Sequence, residues 1–75
     1  MTILRGDKIK VGSKWKPADG GNRVVVVEEV RWYPASDHEE NHWYEVYYSW
    51  EKDGVKYTHD KDAFSFQCRY CLIEE

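Results

Sequence analysis

Trp43-Tyr44-Glu45-Val46-Tyr47-Tyr48-Ser49-Trp50-Glu51-Lys52, followed at once by Asp53-Gly54, is the stretch that decides the fold. Read with period two, Tyr44, Val46, Tyr48 and Trp50 make one face. Trp43, Glu45, Tyr47, Ser49 and Glu51 make the other. Such alternation marks a half-buried antiparallel strand. Asp-Gly supplies the positive φ of a tight two-residue hairpin, so Val55 to Asp60 folds back as the partner. The register then sets Trp50 against Tyr57 on the core side. Glu51 meets Lys56 and Ser49 meets Thr58 on the wet side, so an aromatic pair, an ion pair and a hydroxyl pair stabilise the sheet.

Working outward, Arg23 to Tyr33 reads as a second long strand. It holds five Val, one Trp and one Tyr in eleven residues, with no Gly or Pro. Four consecutive valines suggest burial on both faces. Glu28-Glu29 breaks the alternation, so Val25 and Val27 share a face with Val30 and Trp32 only through a bulge. Pro34 ends the strand. Ala35 to His42 is a polar loop in which Ser36 and Glu39 have capping-box spacing. Ile3-Leu4 and Ile9-Lys10-Val11 read as a first short strand region, after which Gly12-Ser13 turns the chain into Lys14-Trp15-Lys16. Pro17 to Asn22 is a loop dense in turn residues. Ala63 to Phe66 fits a helical turn or a strand start, and Gln67 to Ile73 a closing strand. These elements specify one all-β domain over residues 1–75, a five- to six-stranded antiparallel barrel or strongly bent sheet.

Seventy-five residues, with four Trp, six Tyr and two Phe, suffice for one aromatic-rich core. No apolar run reaches a membrane span, and the first seven residues lack the apolar stretch of a secretory signal, so a cytoplasmic protein is expected. The net charge of −3 conceals an asymmetry. Residues 1–27 carry six Lys/Arg against two Asp, whereas residues 28–75 carry five against twelve acids. A phosphate-gripping protein is more often basic overall.

His38-Glu39-Glu40-Asn41-His42 matches the H-E-x-x-H pattern of zinc peptidases. That chemistry needs a helix, a third ligand and a cleft. The segment lies between Pro34 and a strand, and no third ligand stands at the required spacing. His38 and His42 with Cys68 and Cys71 form a second conceivable set, two imidazoles and two thiols for structural zinc. No Gly or Pro shapes a knuckle around the cysteines, and in a strand positions 68 and 71 point to opposite faces. The expectation is buried thiols, loop histidines and no cofactor. A redox Cys pair would open a helix in a βαβ setting, which this sequence does not contain. No glycine-rich phosphate loop or nucleophile–base pair is present, so no enzyme is expected.

Gly12-x-x-Trp15, the Gly20-Gly21 turn, the Val24–Val27 strand, the long loop, the Asp53-Gly54 hairpin and Phe64-x-Phe66 before a last strand resemble the layout of Src-homology-3-like small barrels. The chain is most similar to the short versions that serve as stand-alone accessory proteins of phages and prophages. The resemblance implies an interaction module without catalysis, whose partners are proteins or nucleic acid. With Tyr44, Val46, Tyr48 and Trp50 inside, Trp43 and Tyr47 point outward beside Glu45; Trp32, Tyr33 and Trp15 fit either face, and Trp43, Tyr47, Glu45, Trp32 and Tyr33 are the candidate protein-binding residues. The leading expectation is therefore a phage-type accessory or inhibitor that acts on a host protein through an aromatic and acidic sheet face. The alternative is nucleic-acid binding, with Lys8, Lys10, Lys14, Lys16 and Arg23 on phosphates. Both a monomer and a small homo-oligomer fit the sequence.

Overall fold

A computed structural model describes residues 8–34 and 42–75, and for Tyr33, Pro34, His42 and Trp43 the backbone alone. Strands β1 (Lys14–Pro17), β2 (Val25–Pro34), β3 (His42–Lys52) and β4 (Val55–Asp62) precede helix α1 (Ala63–Arg69) and strand β5 (Tyr70–Glu74). They form one antiparallel sheet of order β4-β3-β2-β1-β5. The sheet is open, because β4 and β5 are its two edges and do not pair. The all-β expectation with five strands holds; closure into a barrel is not observed.

The hairpin follows the expected register, with Ser49 opposite Thr58, Trp50 opposite Tyr57 and Glu51 opposite Lys56. Its turn residues Asp53 and Gly54 have φ of 53° and 79°, the left-handed values that a two-residue turn needs to match strand twist. A side chain at Gly54 would have open space around its Cβ, so the obstacle there is the backbone and not crowding. Gly54→Val is therefore expected to cost more than about 1 kcal/mol, read as a fall in the denaturation midpoint. Retained stability would mean that the turn tolerates another geometry.

Two details of the wet side differ from expectation. Ser49 is buried, and its hydroxyl donates to Glu28 Oε1 at 2.5 Å. Lys56 reaches the same carboxylate at 2.9 Å in place of the expected Glu51. The reason lies in the bulge foreseen at Glu28-Glu29. The β2–β3 register shifts between Val27 and Glu29, which leaves Glu28 as the extra residue. Its carboxylate crosses β3 and joins three strands. The Ser49 hydrogen bond first, then Lys56, holds the Glu28 carboxyl below its ordinary pKa.

The same bulge puts Val25 and Val27 in the core and packs Val30 against it. The valine run is not buried on both faces: Val24 is exposed and Val26 half-buried. Lys8 to Val11 is not a strand. Ser13 closes a turn there, its N–H and hydroxyl both donating to Lys10 O, at 3.1 and 2.5 Å. Gly12, at φ 89°, and Ser13 instead bond the Val27 backbone, and Ile9 packs into the core. Ile3-Leu4 and the Ala35 to Asn41 loop, with its capping-box pair, lie outside the described residues.

The segment expected to close the sheet from Gln67 onward is helical through Arg69. Asp62 caps the helix by accepting the Ser65 N–H at 3.0 Å. Ala63, Phe66 and Gln67 then fall on one buried face at helical spacing. The Gln67 side chain is satisfied by donating to Ala63 O at 3.2 Å. Phe66 fills the centre of the core. Its ring centroid lies 5.0 Å from Trp15, 5.0 Å from Tyr48 and 5.1 Å from Tyr70. Burial first, then the neighbouring Tyr70 hydroxyl, pushes the Tyr48 pKa up to about 12.

Candidate functional site

The outer face of β2, β3 and β4 carries the first candidate surface. Tyr47 lies opposite Glu29 on β2 and Asp60 on β4. Glu45 lies opposite Arg31 and Asp62. The Arg31 guanidinium covers the Tyr47 ring at 5.0 Å, and its Nε donates to Glu29 Oε1 at 2.6 Å. Glu29, Glu45, Asp60 and Asp62 thus share with Arg31 one short strip centred on a half-buried tyrosine. Burial, then the charges of Asp60 and Asp62, raises the Glu45 pKa above the ordinary glutamate value. Asp62 moves the other way. Burial opposes its charge, but the Ser65 N–H and hydroxyl outweigh that and lower its pKa.

The five candidate protein-binding residues divide. Tyr47 and Glu45 lie on it. Trp32 is 54% exposed but belongs to the opposite face, paired with Tyr44. The backbones of Tyr33 and Trp43 pair with each other across β2 and β3, and their side chains lie outside the described residues.

A second surface was not foreseen. On the inner face, beyond the core, Trp50 stacks on His59 with centroids 4.7 Å apart and planes 2° apart. Tyr57 stands 5.7 Å from Trp50 on the directly opposite position of β4. Arg23 places its guanidinium 4.5 Å from the Trp50 ring. Trp50 and Tyr57 were expected on the core side, and His59 continues their face along β4. One further step of the same register pairs His59 with Tyr48 and would have found the ladder. Beside it an open cleft of about 760 Å³ is lined by the Pro17–Arg23 loop and the end of α1. Arg23 and Arg69 both reach this cleft, while Asp19 is turned to accept the Gly21 N–H at 3.0 Å.

The basic residues near the start of the chain do not form one free patch. Lys10 lies 3.9 Å from Glu75 and Lys14 3.8 Å from Glu74, so the acidic end of the chain faces them. Lys8 and Lys16 are exposed, and Arg23 is committed to Trp50. Exposed pairs at such distances contribute little to stability, but they lower the local positive potential.

Cys68 is exposed on α1 and Cys71 half-buried on β5, both as free thiols. The expectation of two buried thiols on one strand is corrected: the helix carries Cys68 out to solvent. Among the described residues no group of His, Cys, Asp and Glu is gathered as a metal site. His38 and the His42 side chain lie outside those residues. Among the described residues, no helix is long and apolar enough to cross a membrane. Comparison of the chain with protein-family models, curated proteins and solved structures finds no match.

Proposed function

We propose that this protein is a non-catalytic binding module whose outer face, centred on Tyr47 and Glu45, receives a cationic segment of another protein. The observation that carries the reading is the strip that gathers Glu45 with Glu29, Asp60 and Asp62 around the half-buried Tyr47 on three adjacent strands. Desolvation and two neighbouring aspartates hold an ionised carboxylate there at a cost, and an arriving Lys or Arg relieves it. Tyr47, rigid and already ordered by Arg31, supplies the apolar anchor. The strand order β4-β3-β2-β1-β5, with a short helix immediately before the last strand, supports an open member of the Src-homology-3-like architecture. That architecture fits a stand-alone phage-type accessory or inhibitor acting on a host protein. Nucleic-acid binding through Lys8, Lys10, Lys14, Lys16 and Arg23 is the weaker reading, because Glu74 and Glu75 face two of the five.

The test is capture of a partner from nuclease-treated bacterial lysate, repeated over a series of pH values. Nuclease should leave recovery unchanged. Loss on nuclease treatment would move the function to nucleic acid. Capture should also weaken on acidification before the fold does. Glu45, with its raised pKa, loses its charge above the pH at which an ordinary glutamate does, and its protonation relieves a penalty in the folded state. Glu28 and Asp62 have lowered pKa values. Their stabilisation is complete above the ordinary carboxylate range and is lost only as pH falls through it towards those lowered values. A window just above the ordinary glutamate pKa should therefore show weaker capture by a folded protein. Glu45→Gln should be weak at every pH.

A further inference from the structure

We propose that β4 is a self-complementary dimerisation edge, which pairs antiparallel with β4 of a second copy of this chain about Thr58. Among the described residues, no strand covers the outer edge of β4. Residues 55–60 are all exposed. The tight turn makes Lys52 and Val55 the first hydrogen-bonded pair of the hairpin. Bonded and non-bonded pairs alternate along an antiparallel ladder, so Val55, Tyr57, His59 and Lys61 direct their backbone groups at β3. Lys56, Thr58 and Asp60 direct theirs at the open edge.

An antiparallel copy centred on Thr58 matches those groups one for one. Thr58 meets Thr58, and Lys56 meets Asp60 twice, once on each side of the two-fold axis. Directly opposite residues share a face. Both Lys56–Asp60 pairs therefore lie on the outer face, where these residues already stand opposite Glu51 and Tyr47. On the inner face Tyr57 meets His59 of the second copy, also twice, and extends the aromatic ladder across the junction. Lysine on an edge strand guards against pairing when it meets no acid. Here each Lys56 meets an acid in the one register that satisfies the free backbone groups and is centred on the strand. Such an interface is isologous and closes after two copies. Tyr47 and Glu45 lie one strand further in, so the pairing leaves them uncovered.

The test is sedimentation of the full chain, with circular dichroism as the check on folding. The wild type should sediment at twice the 9.0 kDa chain mass. Lys56→Glu and Asp60→Lys should each be monomeric, because each places like charges opposite one another twice. An equimolar mixture of the two should return to the dimer mass, since every junction pair is then of opposite sign. Thr58→Pro should be a folded monomer. It removes an N–H that serves only the open edge, so it tests the proposal even if a charge variant fails to fold. A wild type that stays monomeric up to about 1 mM would overturn the proposal. So would a dimer indifferent to Thr58→Pro, or monomeric charge variants whose mixture stays monomeric.

Discussion

Phe66→Ala is expected to cost about 3–5 kcal/mol, the range for removing a fully buried phenylalanine from a core that cannot collapse around the gap. Phe66 is 0% exposed, and the aromatic rings of Trp15, Tyr48 and Tyr70 each lie near 5 Å from it. Those rings are fixed by three different strands, so none can move into the space without breaking a ladder. A domain of this length has a total stability of roughly 4–11 kcal/mol. The variant should therefore be marginal or unfolded at room temperature. Urea denaturation monitored by tryptophan fluorescence measures this directly, provided the slope with denaturant stays constant. A loss below about 1 kcal/mol would place the core elsewhere.

Trp15→Ala should cost a similar amount, about 3–5 kcal/mol, but distribute it differently. β1 is joined to β2 by only two residue pairs, Lys14 with Val26 and Trp15 with Val25. Its pairing with β5 is longer, from Lys14 to Pro17. The Trp15 indole, 3% exposed, fastens this β1–β5 unit to the rest through its contact with Phe66, beside the contacts of Tyr70 with Phe66 and Tyr48. Its Nε1–H donates to the Ser13 hydroxyl at 2.9 Å, which also holds the turn from Lys10 to Ser13 in place. Under conditions where the variant still folds, amide exchange should accelerate in β1 and β5 while β3 and β4 stay protected. Uniform acceleration would mean that the sheet opens as one unit. Because Trp15 and Phe66 touch, the double variant should lose less than the sum of the two.

The contrast between these two regions explains what could be read from the sequence. The β3–β4 hairpin was legible residue by residue, because period-two alternation and an Asp-Gly turn leave one register. The bulge at Glu28 was legible as a condition, since Val25 and Val30 reach one face in no other way, but the register of the strand was not. Nor was what the bulge does. Only the three-strand arrangement brings Ser49 and Lys56 to the Glu28 carboxylate, and no local pattern encodes that. The helix from Ala63 to Arg69 was ambiguous because seven residues give one buried stripe, and Phe64 and Phe66 alternate as in a strand. The decisive signal was Asp62, three residues before Ser65, at the cap position. The candidate face was half legible. Alternation put Tyr47 and Glu45 outward, but Trp32 lies past the bulge, where a reading without the fixed register cannot assign a face. The Arg23–Trp50 contact joins a loop to a strand across the sheet, beyond the reach of any periodicity.

The acidic outer face is the centre of this account, and one paired measurement on Tyr47→Ala tests it most directly. The ring lies outside the buried core cluster and is half-buried beneath Arg31, so its removal should leave the melting temperature nearly unchanged. As a binding anchor it should cost about 2 kcal/mol, close to thirtyfold, in partner affinity. Lost capture at an unchanged melting temperature is the predicted result. Full capture by a stable Tyr47→Ala protein would contradict it.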